Sequence, residues 1–161
     1  MIDYKNMREA VAQGLNAYLG IPVIRGNQAE PAPDKPYGTY NITTLAGKNN
    51  GTWQQHDDGI DRLMVKSIWS LSFLADGWEE SVNHAIKARE WFEHSGRSYL
   101  ADRGITVQST TDVTNRDNIL TVDYERKNGF DVVFYVFDEA GNLADANGTI
   151  ERVETTREIM N

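Results

Sequence analysis

The densest group of potential metal ligands in the sequence is His56-Asp57-Asp58, in the polar stretch 46–61. Imidazole and carboxylate groups can bind a divalent ion, and a metal-dependent hydrolase could use Asp57 or Asp58 in this way. A metal site needs ligands that converge, however, and neighbouring residues on a loop point apart. We therefore favour a solvated loop and keep the metal-dependent hydrolase as an alternative.

The remaining chemistry-bearing residues form no recognisable catalytic arrangement. His84 and His94 fall on one predicted helix, about 15 Å apart along its axis, which is too far for one ligand sphere. No serine has a histidine in a nucleophile arrangement, and the chain has no cysteine. Neither phosphate-binding glycine pattern occurs, and no spacing singles out a pair of carboxylates. We expect a protein that is not an enzyme and needs no cofactor.

Composition limits the class of protein further. A chain of 161 residues, 40% of them hydrophobic, predicts a single domain, 1–161, with a real core. The net charge of −8 argues against general binding to nucleic acid or to an anionic membrane. The N-terminus lacks the apolar core of a signal peptide, and no run approaches the ~20 apolar residues of a membrane span. We therefore expect a soluble product that is made or assembled inside a cell.

The elements that must position these residues are organised around the stretch 63–75. Its apolar residues alternate strictly, which predicts a strand with one buried face, about 40 Å long. Asp76 and Glu79 follow at capping-box spacing, so we expect a helix to start at once and to run to about His94. A strand that turns directly into a helix folding back over it is typical of a two-layer α+β domain.

The rest of the chain adds elements to this unit. We predict a helix over 3–19, an extended proline-rich connector over 26–36, a hairpin loop over 46–61 and a bend over 114–122. The stretch 129–138 is almost continuously apolar, so we expect both faces of that strand to be covered. The predicted fold is α+β, in two layers. Its sheet is mixed or mostly antiparallel, with about four to five strands in the order α-β-β-α-β-β plus an edge strand over 149–155 and a frayed tail over 156–161.

Two groups of residues lie outside this simple core pattern. The second helix is expected to bury Trp78, Val82, Ala85 and Phe92, which places Trp91 on its outer side. There Trp91 is either a partly exposed core residue or an interface anchor. The charges around Asn115-Arg116-Asp117 and Glu125-Arg126 form either a polar turn with a solvated ion pair or the contacts that set the register between subunits.

At these residues the chain resembles the neck or tail terminator proteins of tailed bacteriophages. The resemblance covers about residues 23–153, and a Gly/Asn-rich insertion near 47–59 and an extra turn near 141–148 depart from it. The matching features occur in the same order in both: Arg25-Gly26-Asn27-Gln28, the connector leading to Pro36-Tyr37 and Tyr40-Asn41, the long strand and helix ending in Trp91-Phe92, the Asn115-Arg116-Asp117 bend, and the strand with Tyr124-Glu125-Arg126 and Gly129-Phe130-Asp131-Val132.

The resemblance implies a structural virion protein at the head–tail junction, assembled in the host cytoplasm. Such subunits close into a ring, commonly a hexamer, which caps the tail tube, ends its growth and docks to the head connector or adaptor. Its implied partners are copies of itself, the tube protein and the connector, while DNA passes through without specific binding and no membrane is involved. Candidate contact residues are Arg116, Asp117, Arg126, Trp91, Lys48, Asn49, Trp53, His56 and Asp58. An alternative is a small ligand-binding or regulatory α+β domain that forms a dimer.

Overall fold

The structure is a computed structural model, and it describes residues 1–119 and 124–141. Within these residues, three helices and seven strands follow one another. In order they are α1 (Tyr4–Leu19), β1 (Val23–Arg25), β2 (Tyr37–Gly47), β3 (Ile60–Ala75), α2 (Trp78–Glu93), α3 (Ser95–Ala101), β4 (Thr106–Thr110), β5 (Thr114–Asn115), β6 (Asn118–Ile119) and β7 (Tyr124–Gly141). None of the described helices is both long and apolar enough to cross a membrane.

The sheet is built around the pairing of β3 with β7. Its main order is β1-β2-β3-β7-β4, and the short β5 and β6 pair with β7 alone. Only β1 and β2 run parallel, so the sheet is mixed, as predicted. The prediction that residues 63–75 organise the chain is confirmed, because β3 occupies the centre. The strand count is higher than predicted, since two short strands occupy the expected bend.

The strand β7 differs from its prediction in length and in burial. It extends over Tyr124–Gly141, well beyond the predicted 129–138. Alternate residues are buried, including Phe130, Val132 and Phe134. The other set becomes progressively more exposed, and Phe137 is 46% exposed. The expectation that both faces are covered is therefore wrong. The predicted edge strand 149–155 and the tail 156–161 lie outside the described residues.

The helices all pack on the buried face of the sheet. In α1 the apolar residues expected to form one stripe are buried from Met7 to Leu15, but Tyr18, which was expected to continue it, is 47% exposed. Gly20 ends the helix in the left-handed region at φ 72°. The predicted capping box of α2 is wrong: the N-cap is Gly77, which offers no side chain. Glu79 and Glu80 instead place negative charge in the first turn, where the helix dipole favours it.

The packing of α2 corrects the predicted position of two tryptophans. Trp78 is 52% exposed, whereas Trp91 is only 4% exposed, the reverse of the expectation. The reason is α3, a third helix that was not predicted from the sequence, which packs on the side of α2 that was expected to face outward. Gly14 and Gly96 leave the space for the indole, since a Cβ on either would lie within 2.5 Å of it. Trp91 is thus a core residue of the helical layer.

Candidate interaction surfaces

The side of the sheet opposite the helices carries a ladder of partly apolar residues on β3 and β7. The pairs in register are Met64 with Phe137, Lys66 with Tyr135, and Ile68 with Val133, and we call these six residues the open face. Met64 is 39% exposed and Phe137 is 46% exposed, while the other four are half-buried. Adjacent exposed apolar side chains on a flat sheet are typical of a surface that contacts another protein.

Further along the same side, Arg116 lies across the two central strands. Its Nη1 donates to Ser70 Oγ (2.7 Å), to the Leu71 carbonyl (3.1 Å) and to Ser72 Oγ (3.2 Å). Its Nη2 donates to Asp131 Oδ1 at 3.1 Å. The guanidinium therefore clamps the segment after β5 onto both β3 and β7. One alternative from the sequence was a polar turn in solvent, whereas this arginine is bound to four acceptors on the sheet.

The clamp explains a glycine in the strand that pairs with β3. Gly129 lies opposite Ser72, and a Cβ at this position would lie 2.0 Å from the Leu71 carbonyl oxygen and 3.0 Å from Arg116 Nη1. The Leu71 carbonyl, which accepts a hydrogen bond from Arg116, therefore lies in close contact with the backbone of β7. No side chain fits at position 129 without moving backbone.

Asp117 forms the second half of this polar cluster. Its carboxylate accepts hydrogen bonds from the Lys127 backbone N–H (2.7 Å), Arg126 Nη1 (3.2 Å) and Asn115 Nδ2 (3.4 Å). Burial raises the pKa of Asp117, but these hydrogen bonds and the Arg126 charge outweigh burial, so the pKa is lowered overall. In this structure Arg116, Asp117 and Arg126 all contact groups of their own subunit.

The predicted hairpin loop is shorter than expected and partly anchored. β2 continues to Gly47 and β3 starts at Ile60, so the loop covers 48–59. Gln54 pairs with Arg62 through two backbone hydrogen bonds of 2.8 and 3.0 Å. Asp58 accepts from the Ile60 N–H at 3.0 Å and from Arg62 Nη2 at 2.8 Å. The hydrogen bond from Arg62 is the main reason why the pKa of Asp58 is lowered.

The loop still presents side chains to solvent. Trp53 is 45% exposed, Lys48 and His56 are exposed, and Asn49 is half-buried. Across residues 1–119 and 124–141, no three His, Asp or Glu side chains converge as a metal site would require. Arg62 links the base of the loop to β7 through Glu139 Oε1 at 3.2 Å. The loop is therefore held to the sheet at its base, while Trp53 remains exposed to solvent.

A family model described as a phage neck terminator protein matches residues 5–159. This chain belongs to the phage neck terminator family. No curated protein matches it. One solved structure is similar at 12% sequence identity, covering 84% of this chain and 96% of its own, with a TM-score of 0.42. That score is too low to support an argument about function.

Membership confirms the resemblance inferred from the sequence. A phage neck terminator protein is a structural protein of the phage tail and neck, and its place is in the virion. The family interacts with other head and tail proteins of the phage. The prediction that Trp91 offers a partly exposed aromatic side chain is wrong, because three helices enclose it.

Sequence reasoning missed the open face of this neck terminator protein and a groove beside β1. The period of two in β3 and β7 already placed Met64 and Phe137 on the sides of their strands away from the main core stripe. Whether another layer covers that side cannot be read from alternation. The groove joins Arg25 to Arg8, which is far away in the sequence on α1, and no local pattern connects them.

Proposed function

We propose that this chain is one subunit of a homo-oligomeric ring, of six copies, that caps the head-proximal end of the phage tail tube. The ring ends tube growth and docks the tail to the head connector. Family membership supports the neck location, and the open face carries the proposal of assembly. A structural subunit acts through exposed surfaces, and Met64 and Phe137 form an apolar pair where a second chain can pack.

Two further features of the chain, the loop 48–59 and the net charge, support the details of this proposal. A closed ring needs a heterologous interface, in which two different patches of one chain meet. The loop 48–59 is held at its base while Trp53 stays exposed, so we assign contact with the tube or connector to Lys48, Asn49, Trp53 and His56. The net charge of −8 favours an acidic lumen, which repels DNA phosphates and lets the genome pass without specific binding.

The decisive experiment measures mass and shape together. Native mass spectrometry and electron microscopy of the purified protein, alone and mixed with tail tubes, should give a hexamer-sized ring or a ring seated on tube ends. A protein that stays a dimer in both conditions would favour the small ligand-binding domain instead. A ring whose lumen is basic would contradict the proposed free passage of DNA.

Matched variants test the role of the open face. Phe137→Ser removes an exposed aromatic side chain from the open face, and we expect at least tenfold weaker assembly. Tyr18→Ser removes a similarly exposed aromatic side chain from α1, 47% exposed against 46% for Phe137, and should assemble normally. Equal behaviour of the two variants would remove the open face from the interface.

A further inference from the structure

A groove at the edge of the sheet brings two arginines together beside β1. It is lined by residues of α1, of the chain after β1 and of β2, and its volume is about 770 Å³. The lining residues are Arg8, Arg25, Gly26, Asn27, Gln28, Ala29, Glu30, Asn41 and Ile42. A volume of this size accepts several side chains of a partner and is larger than a single bound ion requires.

The backbone around the groove is shaped by the turn after β1. The Gly26 N–H donates to the Tyr40 carbonyl at 2.8 Å, which continues the pairing of β1 with β2 by one residue. Asn27 then takes a left-handed conformation at φ 58°, and the chain turns away from the sheet. The turn thus brings Asn27 and Gln28 to the groove that Asn41 of β2 also lines.

Four of the eight described arginines form an ion pair with another described residue, and Arg97 and Arg103 instead donate to backbone carbonyls. Arg62, Arg89, Arg116 and Arg126 each lie within 4.0 Å of an aspartate or glutamate oxygen. Within residues 1–119 and 124–141, neither Arg8 nor Arg25 has such an ion pair, although Glu30 also lines the groove. Arg8 contacts the Tyr40 hydroxyl. Burial raises the pKa of this hydroxyl, although the positive charges of Arg8 and Arg25 act to lower it.

Acidic residues outnumber basic residues in this chain, with 24 of the former and 16 of the latter. Amide donors surround the two arginines of the groove. Within the described residues, however, no carboxylate forms an ion pair with either arginine. Arginine and amide side chains are donors that suit carboxylate oxygens. The groove therefore has the chemistry of a carboxylate-binding site.

We propose that the groove around Arg8 and Arg25 binds carboxylate side chains of a second copy of this chain. The inference rests on the proposed ring, and it assigns one half of the contact between neighbouring subunits. A heterologous interface joins two unlike patches, and a chain of net charge −8 supplies acidic patches in excess. DNA phosphate is the less suitable occupant, because stable binding to DNA requires many cations and the chain as a whole is acidic.

Charge reversal tests the inference. The double variant Arg8→Glu/Arg25→Glu should self-associate at least tenfold more weakly than the wild type, alone and on tail tubes, as measured by native mass spectrometry. Lys5→Glu/Lys87→Glu makes the same change in net charge at exposed positions outside the groove and should assemble normally. Circular dichroism checks the fold of each variant. Because Arg8 contacts Tyr40, the single variant Arg25→Glu keeps the test valid if the double variant unfolds.

A crosslinking experiment identifies the occupant directly. Arg25→Lys provides an amine that a carbodiimide joins to a carboxylate in direct contact. With mixed ¹⁴N- and ¹⁵N-labelled chains, crosslinks from position 25 to an aspartate or glutamate of differently labelled chains support the proposal. Crosslinks found only within one chain overturn it. So does binding of a 20-base-pair DNA duplex by the wild type that Arg8→Glu/Arg25→Glu abolishes.

The outcomes separate this inference from the proposed function. If the wild type forms no ring alone or with tubes, both fail. If the wild type forms rings and Arg8→Glu/Arg25→Glu forms them equally well, only the carboxylate site fails.

Discussion

Arg116 Nη2 lies 3.1 Å from Asp131 Oδ1, and the same guanidinium holds the Leu71 carbonyl of the neighbouring strand. One side chain thus connects the segment after β5 to both central strands. The contacts form on the side of the sheet without helices, beside the pairing of β5 with β7 and the hydrogen bonds of Asp117. Arg116 therefore has a structural role in the fold, whatever else binds there.

Replacing Arg116 by methionine should lower the free energy of unfolding by about 2 kcal/mol, since charged hydrogen bonds to four acceptors are lost. Urea unfolding followed by fluorescence measures the effect. Lys87→Met on the exposed surface of α2 removes the same charge and should stay within about 0.5 kcal/mol of the wild type. A loss for Arg116→Met no larger than that of the control would mean that the clamp contributes little.

Gly129→Ala should destabilise the protein by about 2–3 kcal/mol, because the added methyl group meets the Leu71 carbonyl and the Ser72 Cα. Gly51→Ala is the matched control, since its nearest neighbours lie 3.8 Å or further away. Thermal unfolding of the two variants gives the comparison. Equal melting temperatures would show that β7 can shift away from β3 at this point.

Asp117→Asn should cost about 1–2 kcal/mol near pH 7, where the carboxylate accepts three hydrogen bonds. The pKa of Asp117 is lowered from its ordinary value of 3.8. Its contribution is therefore complete above pH 3.8 and is lost as the pH falls through the lower pKa of the folded state.

The measurement for Asp117 is urea unfolding at several pH values between 3 and 7. The gap in stability between wild type and Asp117→Asn should narrow at the acid end. Asp112→Asn, at a fully exposed side chain, controls for removal of a charge and should have little effect at pH 7. A gap that widens on acidification would contradict the assigned role of Asp117.

Trp91→Ala should cost about 3–5 kcal/mol, because the indole fills the space between α1, α2 and α3. Trp78→Ala, on the exposed side of the same helix, should cost less than about 1 kcal/mol. Chemical denaturation of both variants tests the corrected assignment. Similar losses would restore the sequence-based interpretation, in which Trp91 lies outside the main core.

Some sequence signals depend on a single element. Alternation in 63–75 correctly predicted a strand, although both of its sides are buried from residue 71 onward, and the apolar stripe of α1 was predicted correctly except for the exposed Tyr18. The position of Trp91 depends on Gly14 and Gly96, which belong to other helices. No periodicity within α2 carries that information, so the prediction was wrong there.

The burial of β7 and the contact residues show a second limit. A strand that is apolar on both sides indicates two covered faces only if the second layer belongs to the same chain. In a protein that binds partners, the side of β7 with Val133, Tyr135 and Phe137 can instead be covered by another molecule. The bend with Arg116 and Asp117 was recognised as distinctive, but its hydrogen bonds span β3 and β7, which sequence spacing could not show.

The continuous pairing of β3 with β7 has a mechanical consequence. The two strands stay in register from Ile60 opposite Gly141 to Ala75 opposite Arg126, which makes a ribbon roughly 50 Å long. If the two strands were pulled from opposite ends, all the hydrogen bonds between them would be loaded at the same time, in shear. If the strands were peeled apart, the same bonds would break one after another. This pair of strands is therefore the part of each subunit best suited to resist a pulling force.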